Sequence, residues 1–526
     1  MRQFFDAFCF GGDFMRYLVT AEEMMRYDKN TTQFYGIPSL VLMERAALKV
    51  FSLVQTVLPE PGPVLIAVGC GNNGGDGMAL GRILSQAGYE VTFFCPNIQG
   101  QFSEAAKVQY ETCKQYGMVF WDEIPSKAYR IVIDSLFGIG LNRNITGDFK
   151  EAIASLNALE GVKIAVDIPS GIHSDTGEIL GIAFQADMTV TFGFQKRGTV
   201  FYPGCLFAGR VVLAEIGIEK DSFLGKPPIS FTYDDLDLEK MPARKKDGNK
   251  GTFGKVAMFA GSVGMAGAAV LAGKSCYRCG AGLLKIITPE KNREILQISL
   301  PEGVLIQLKS DKPYFEQFQQ IEETMQWATC ILAGPGIGLE QYALNILELI
   351  LQKSSCPLIF DADAINLIAK SEKLKNLLKE KAKGGQSIVL TPHLAEFSRL
   401  INQVREVLKS NQLEEAIRFA REYRVVLVCK DARTIIASGR EEEGIYINSN
   451  GNDGMATAGS GDILAGMITS FIAQGMNVFD AACLGVFAHA KAGDLAADTT
   501  NRYACMAEDM IEELKNLRKG IANESL

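Results

Sequence analysis

Val64-Leu65-Ile66-Ala67-Val68 is a short apolar run, and Gly69-Cys70-Gly71-Asn72-Asn73-Gly74-Gly75-Asp76-Gly77 follows it directly. Residues 78–86 then carry the pattern of a helix, which Gly88 closes. A β-rich run, a glycine turn and a helix in this order are the start of a βαβ unit. The same order recurs up to residue 192, so the sequence predicts a parallel sheet flanked by helices, the α/β class.

The chain is long enough for two such domains, because 526 residues exceed the size of one ordinary core. Residues 220–250 are rich in prolines and charges and show little periodicity. The βα alternation then restarts with Val256-Ala257-Met258-Phe259-Ala260. We therefore expect one α/β domain over residues 1–225 and a second over residues 226–526. In the second, residues 434–437 and 444–447 are expected to form a hairpin.

The bulk composition limits the partners and the compartment. The formal net charge of -8 and the pI near 5.3 argue against a nucleic-acid or anionic-membrane surface. No stretch reaches the roughly 20 apolar residues that a membrane helix needs. The twelve cysteines are scattered, several of them in apolar runs, which is typical of buried thiols in a reducing cytosol. We expect a cytoplasmic protein that binds neither nucleic acid nor membranes.

Acidic residues follow three of the predicted strands. Asp76 lies in the glycine turn, Asp134 ends Ile131-Val132-Ile133, and Asp167 ends Ile164-Ala165-Val166. Ligands of open α/β sheets gather beyond the carboxyl ends of the strands, so we expect the three carboxylates in one cleft. Each acid taken singly fits a cap of its turn equally well. Their recurrence at three strand ends favours a ligand site.

Together with residues 40–47, these segments resemble the epimerase domain of the bifunctional NAD(P)H-hydrate repair enzymes, over roughly residues 15–217. The resemblance implies a Rossmann-like three-layer domain that interconverts the R and S hydrates of NADH and NADPH. It also implies a potassium ion (K⁺) on Asn73, Asp134 and Ser170. Asp167 is the candidate acid or base at C6 of the nicotinamide ring. The residues implied to hold the hydrated nucleotide are Asn72, Asn73, Gly74, Gly75, Asp76, Gly138, Ile139, Gly140, Leu141, Asn142, Arg143, Asn144 and Asp167.

A second glycine turn, Gly459-Ser460-Gly461-Asp462, precedes an apolar helix expected over residues 463–473. The free amides at a helix start attract phosphate by hydrogen bonding and by the helix dipole. A carboxylate at that place is explained if Asp462 takes a proton from a hydroxyl that then attacks a phosphoryl group. Taken alone, the segment is better explained as a turn in which Asp462 caps the helix, and other segments have to decide.

The surrounding segments resemble the dehydratase half of the same repair enzymes and cover most of residues 248–517. The resemblance implies a ribokinase-like α/β domain that phosphorylates the hydroxyl of the hydrate with ADP or ATP, uses Mg²⁺, and then eliminates phosphate. Asp462 would be the catalytic base, and Gly461 would hold the phosphoryl group. The implied contacts to the hydrate are Ala268, Gly338, His393 and Asp462.

One segment departs from this family. Where the family commonly has lysine, glycine, a small residue, glycine and threonine, this chain has Lys430-Asp431-Ala432-Arg433-Thr434. We predict that catalysis is retained with a changed nucleotide preference. The implied nucleotide contacts are Lys430, Asp431, Ala432, Arg433, Thr434 and Gly461.

Two alternatives stay open at this point. A ribokinase-like kinase of a small vitamin precursor explains Asp462 but not the first domain, and that first domain is then a non-catalytic nucleotide-binding or scaffold module. The set Asn73, Asp134 and Asp167 argues against a scaffold. We also expect a homo-oligomer. Because the family pattern starts near Met15, the residues before it are either a short extension or the result of an upstream start codon.

Overall fold

The computed structural model describes residues 16–97 and 99–517 of the chain. Two compact units divide between Ser230 and Phe231. The choice between Met1 and Met15 as the first residue concerns positions outside the described part. Within residues 16–97 and 99–517, no helix is long and apolar enough to cross a membrane.

The first unit is built on a parallel sheet. Its strands are β1 (Arg16–Val19), β2 (Pro63–Val68), β3 (Glu90–Phe94), β4 (Phe120–Trp121), β5 (Ile131–Ser135), β6 (Val162–Val166), β7 (Met188–Phe192), β8 (Gln195–Lys196) and β9 (Arg210–Ala214). The strand order in the sheet is β4-β3-β2-β5-β6-β7-β9, with every neighbouring pair parallel. Strand β1 pairs in parallel with β8.

Strand β2 shows why the quoted apolar run becomes a central strand. Its side chains alternate between two cores, with Val64, Ile66 and Val68 on one face of the sheet and Leu65 and Ala67 on the other. A strand buried on both faces has to be apolar throughout rather than alternating. The helices of this unit are Ala21–Gln33, Ser39–Val57, Asn72–Gln86, Glu104–Gln115, Asp148–Ala158 and Gly204–Ala208.

The glycine-rich segment after β2 differs from the prediction, because the helix starts at Asn72 and not at Met78. Close packing explains the glycines inside this helix. A Cβ at Gly74 would lie 1.8 Å from the carbonyl oxygen of Gly69, and one at Gly77 would lie 2.6 Å from Ser135 Oγ. Glycine therefore lets the first helical turns sit directly on the strand ends.

The second unit has a larger sheet, with strand β10 (Ser230–Thr232) at the division between the units. The following strands are β11 (Lys255–Phe259), β12 (Leu283–Pro289), β13 (Val304–Leu308), β14 (Cys330–Ala333), β15 (Leu358–Phe360), β16 (Ile388–Leu390), β17 (Val426–Cys429), β18 (Ile435–Ser438) and β19 (Ile445–Ile447). Their order is β13-β12-β11-β14-β15-β16-β17-β18-β19. The pairs up to β17 are parallel, and β18 pairs antiparallel with both β17 and β19. The predicted hairpin is confirmed.

Small residues let the helices of the second unit pack closely. The helix Ser460–Ala473 is buried along its apolar length, and a Cβ at Gly466 would lie 2.2 Å from the carbonyl oxygen of Ala272 on the helix Ala266–Arg278. Both halves have the predicted α/β organisation. The remaining helices are Arg293–Ser299, Tyr314–Trp327, Gln341–Lys353, Ala362–Lys370, Glu372–Lys383, Leu394–Ile401, Arg405–Ser410, Gln412–Tyr423, Val478–Thr499 and Ala507–Glu513.

Candidate active sites

The first unit contains a cavity of about 830 Å³ beyond the carboxyl ends of β2, β5 and β6. The strand order reverses between β2 and β5, and open α/β sheets bind ligands at such a switch point. The lining includes the predicted residues Asn72, Asn73, Asp76, Gly138, Ile139, Gly140, Leu141, Asn142, Arg143 and Asp167. Gly74 and Gly75 are buried in helix packing instead, and Asn144 is exposed outside the lining.

Asp167 is held by an ion pair at the end of β6. Its backbone has φ +68°, a left-handed conformation that is rare for a residue other than glycine and costs of the order of 1–3 kcal/mol. Lys196 Nζ donates to Asp167 Oδ1, which also accepts from Thr191 Oγ1 at 3.3 Å and from the Phe192 N–H at 3.1 Å. The lysine side chain is 1% exposed and the aspartate 13%, so the pair is largely shielded from water.

Two further carboxyls face the same cavity. Burial, then the charges of Asp167 and Asp28, raise the pKa of Asp76 well above its usual range, against the opposing effect of Lys196. Burial and the charge of Asp167 also raise the pKa of Asp28 on the helix Ala21–Gln33. Neither Asp28 nor Lys196 was predicted from the sequence. A lone lysine in the aromatic run Phe192-Gly193-Phe194-Gln195-Lys196 is the signal that was available.

The three predicted cation ligands lie together behind this cavity. Ser170 Oγ donates to Asp134 Oδ1 at 2.6 Å and the Ser170 N–H donates to Asp134 Oδ2 at 2.7 Å. Asn73 Nδ2 donates to the Phe137 carbonyl at 3.0 Å, while Asn73 Oδ1 is buried without a hydrogen-bond partner. Burial raises the pKa of Asp134 to about 6, against the lowering effect of its hydrogen bonds. A buried amide oxygen without a donor, beside a buried carboxyl, is a polar site that lacks a positive partner.

In the second unit, the strand order reverses between β11 and β14, and the loops after these strands touch. The Gly261 N–H donates to the Pro335 carbonyl at 2.8 Å, and a Cβ at Gly336 would lie 3.0 Å from Ala268 Cβ. Gly338 has φ +78°, and its N–H donates to Asp363 Oδ2 at 2.9 Å. Ala268 and Gly338 are both predicted to contact the hydrate. Ala268 lies in the first turn of the helix Ala266–Arg278, which packs against the loop after β14 that contains Gly338.

Lys430 connects the second glycine turn to the end of β15. Its Nζ donates to Asp361 Oδ1 at 2.7 Å, and the same carboxyl oxygen accepts from Thr391 Oγ1 at 2.7 Å. The Asp361 side chain is 2% exposed. A Cβ at Gly461 would lie 3.2 Å from Lys430 Nζ, so the ammonium group lies beside the turn that precedes the apolar helix.

Asp462 lies in the first turn of the helix Ser460–Ala473, after Gly459 with φ +92°. Burial raises its pKa to about 7, the charges of Asp361, Asp363 and Glu396 add to the effect, and Lys430 opposes it. A carboxyl with such a pKa changes protonation near neutral pH, which suits a general base.

Two histidines flank this turn in different ways. His393 Nδ1 accepts from the N–H groups of Ala395 at 3.1 Å and Glu396 at 3.3 Å and so caps the helix Leu394–Ile401. Because Nδ1 is an acceptor, the ring proton is on Nε2, which lies 3.3 Å from Glu396 Oε1, and the side chain is half-exposed. His489, which sequence reasoning missed, is buried with Nε2 3.3 Å from Ser460 Oγ, and burial followed by Lys430 lowers its pKa to about 4.

Both halves of the chain match known families. Residues 39–198 match the family described as YjeF-related protein N-terminus, and residues 256–516 match NAD(P)H-hydrate dehydratase. The chain is 33% identical to a bifunctional NAD(P)H-hydrate repair enzyme of Thermofilum pendens, over 90% of this chain and 91% of that protein. This chain belongs to the bifunctional NAD(P)H-hydrate repair family. Another member, from Moorella thermoacetica, is 32% identical over 97% of this chain and 98% of that protein.

Among solved structures, an ADP/ATP-dependent NAD(P)H-hydrate dehydratase from Bacillus subtilis, co-crystallised with ATP and Mg²⁺, is 25% identical to this chain. The match covers 55% of this chain and 97% of that one, with a TM-score of 0.46. The family resemblance predicted from the sequence is confirmed by the curated relatives, which span nearly the whole chain. A vitamin-precursor kinase fused to a scaffold is not favoured.

Within this member of the repair family, the departing segment forms the turn between β17 and β18. Lys430 points inward to Asp361, whereas Asp431 and Ala432 are exposed and Thr434 is buried. Asp431, which is exposed, and Arg433, which is partly buried, follow the inward lysine in this turn. The lysine keeps its place beside Gly461.

Proposed function

We propose that this chain repairs hydrated NADH and NADPH with two activities. The first unit interconverts the R and S hydrates, and the second dehydrates the S form at the expense of ADP or ATP through a phosphorylated intermediate. The single observation that carries the proposal is Asp462, a carboxyl with a pKa of about 7 at a helix start, next to the Lys430 ammonium. The same chain carries a separate acid-lined cavity in its first unit.

Dehydration by this site is chemically reasonable because hydroxide is a poor leaving group and phosphate is a good one. Asp462 takes the proton of the C6 hydroxyl while that oxygen attacks the terminal phosphoryl group of the nucleotide. The C6–O bond then breaks with departure of phosphate, a proton leaves C5, and the C5=C6 double bond of the dihydronicotinamide re-forms. The helix amides after Gly459 and the Lys430 ammonium support the negative charge of the phosphoryl oxygens.

An adenine nucleotide and Mg²⁺ are the proposed co-substrate and metal of the second unit. In the part of the chain that the structure describes, no group of three or more His, Cys, Asp or Glu side chains is placed to hold a metal. This fits Mg²⁺, which is bound in such enzymes through substrate phosphates, water and one or two carboxylates rather than in a protein cage. Of the proposed nucleotide contacts, Lys430 and Gly461 lie closest to the Asp462 turn.

K⁺ is the proposed resident cation of the first unit. Asn73 Oδ1, Asp134 and Ser170 offer hard oxygens, and the buried Asn73 Oδ1 has no donor of its own. Such a set of one carboxylate with amide and hydroxyl oxygens suits a monovalent ion. When bound, the ion would offset the buried charge of Asp134 and hold the loop at Phe137 to the helix start at Asn73.

Three further properties belong to the proposal. We place the two activities in the two domains 1–225 and 226–526, the protein in the cytoplasm, and the active form in a homo-oligomer without nucleic-acid or membrane partners. The free thiols of the described cysteines suit a reducing compartment. Light scattering of the purified chain tests the oligomer, and a monomeric mass at working concentration would contradict it.

The function is tested by incubating the chain with a mixture of R and S NADH hydrate and ATP or ADP while following the dihydronicotinamide absorbance. Recovery of all of the hydrate as NADH requires both activities. Recovery of only the S fraction supports the second unit alone, and no recovery contradicts the proposal. Equal turnover without any adenine nucleotide would contradict the phosphoryl mechanism.

A further inference from the structure

The acids of the first cavity have unequal freedom to move a proton. Asp167 Oδ1 already accepts from Lys196, Thr191 and the Phe192 N–H, and these three donors hold the carboxyl in one orientation. Lys196 Nζ donates to Asp167, to Thr191 Oγ1 at 3.2 Å and to the Phe192 carbonyl at 3.0 Å, which uses its three protons. This pair is therefore a fixed, oriented anion and cation, and neither group has a free proton to give.

Asp76 is placed differently. It lies on the helix Asn72–Gln86 between Gly75, which faces Met43, and Gly77, which faces Ser135, and its own side chain lines the cavity. Among the described residues, the structure gives the Asp76 carboxyl no hydrogen-bond or ion-pair partner. Its ionised form would lie near two other carboxylates with only one ammonium group to offset the three.

The charges around Asp76 come from several elements. Asp28 faces it from the helix Ala21–Gln33, Asp167 from the end of β6, Lys196 from β8, and Arg143 from the rim of the cavity. The charges of Asp28 and Asp167 both raise the pKa of Asp76, and the charge of Asp167 also raises the pKa of Asp28. The raised pKa of Asp76 favours the protonated form of this carboxyl.

We propose that Asp76 is the proton donor of the epimerisation, and that Asp167, held by Lys196, is the fixed anion beside it. This inference rests on the proposed epimerase activity. Asp76 gives its proton to the C6 hydroxyl, the C6–O bond breaks, water leaves, and the N1 electron pair forms an N1=C6 iminium. Water then adds to the opposite face of C6, and the proton it loses returns to Asp76. The Asp167 carboxylate stabilises the positive charge of the iminium.

The local charge supports a cationic intermediate over an anionic one. With Asp76 protonated, the charges of Asp28 and Asp167 are balanced by Lys196 and by Arg143, and the Asp167 carboxylate attracts an iminium beside it and repels an alkoxide. This assignment changes the role predicted for Asp167 from proton carrier to electrostatic partner. It also gives a function to the Asp76 carboxyl, which has no hydrogen-bond or ion-pair partner among the described residues.

The test compares Asp76→Asn with wild type on purified R hydrate, following formation of the S hydrate by chromatography over times shorter than the uncatalysed reaction. We expect kcat to fall by about 10²-fold or more, the usual contribution of a general acid, with KM near wild type. The surface variant Asp122→Asn should be unaffected, and thermal unfolding of Asp76→Asn with the same transitions as wild type reports that both units are folded. A wild-type kcat in Asp76→Asn would overturn the inference.

Two further readouts separate a proton donor from a structural residue. The rate of epimerisation should fall as the pH rises through the pKa of Asp76. In Asp28→Asn this fall should occur at lower pH, because the variant lacks one negative charge near Asp76. In H₂¹⁸O, label should enter the C6 hydroxyl at the rate of inversion. The same pH profile in Asp28→Asn and wild type, or inversion at C6 without uptake of ¹⁸O, would overturn the step. If wild type itself does not epimerise the R hydrate, the proposed function fails instead.

Discussion

Replacing Lys430 by methionine removes an ammonium group near Asp462 and tests how the second site sets the protonation of its base. Lys430 lowers the pKa of Asp462 against burial and the charges of Asp361, Asp363 and Glu396, so its removal should raise that pKa. At an effective dielectric constant of about 20, two unit charges a few ångströms apart attract by about 2–4 kcal/mol, so the loss of Lys430 should raise the pKa of Asp462 by about 1.5–3 units. Since the base acts only when ionised, the acid limb of kcat should move upward from about pH 7.

The assay is the recovery of dihydronicotinamide absorbance from S hydrate at saturating ATP, measured across pH for wild type and Lys430→Met. Breaking the buried pair also leaves Asp361 without its cation, which costs about 3–5 kcal/mol of stability. The double variant Lys430→Met/Asp361→Asn removes both charges and should recover part of the stability and part of the pH shift. An acid limb at the wild-type pH in Lys430→Met would refute the electrostatic reasoning.

The remaining predictions concern the first unit and the second glycine turn. Exchanging K⁺ for choline should lower both the epimerase rate and the melting temperature of wild type, and Asn73→Ala should abolish the response; an equal response in Asn73→Ala would exclude this cation site. Gly74→Ala places a Cβ 1.8 Å from the Gly69 carbonyl and should destabilise the first unit by about 1–3 kcal/mol or more in denaturant unfolding, whereas Gly71→Ala, with nothing within 4 Å, should not. His489→Phe leaves Ser460 Oγ without its buried partner and should lower the dehydration rate with little change in epimerisation; unchanged dehydration kinetics would show that the contact is only structural.

Local sequence patterns predicted the strands because burial on both faces of a parallel sheet requires runs such as the one at Val64. The start of the helix at Asn72 could not be read locally, since it depends on the fit of Gly74 against Gly69 and of Gly77 against Ser135. Sequence rules treat clustered glycines as a turn. In this chain, tertiary packing places these glycines in the first turns of a helix.

Residues of the candidate sites, too, could be predicted only where a local sequence pattern marks them. Asp134, Asp167 and Asp462 were found because each follows a predicted strand or begins a predicted helix. Lys196 and Asp28 were missed because their relation to Asp167 is made only by folding, with Lys196 paired to an acid 29 residues away in sequence. Lys196 bears on the chemistry, because the inference above assigns Asp167 the role of a fixed anion, whereas the sequence predicts an acid or base at this position.

The most direct test of the central claim is Asp462→Asn on R-enriched NADH hydrate with ATP, with both NADH formation and the ratio of the two epimers recorded. We expect NADH formation to be lost while the ratio still relaxes at the wild-type rate, because the proposed base lies in the second unit and the proposed epimerase cavity in the first. NADH formation at the wild-type rate in Asp462→Asn would contradict the account.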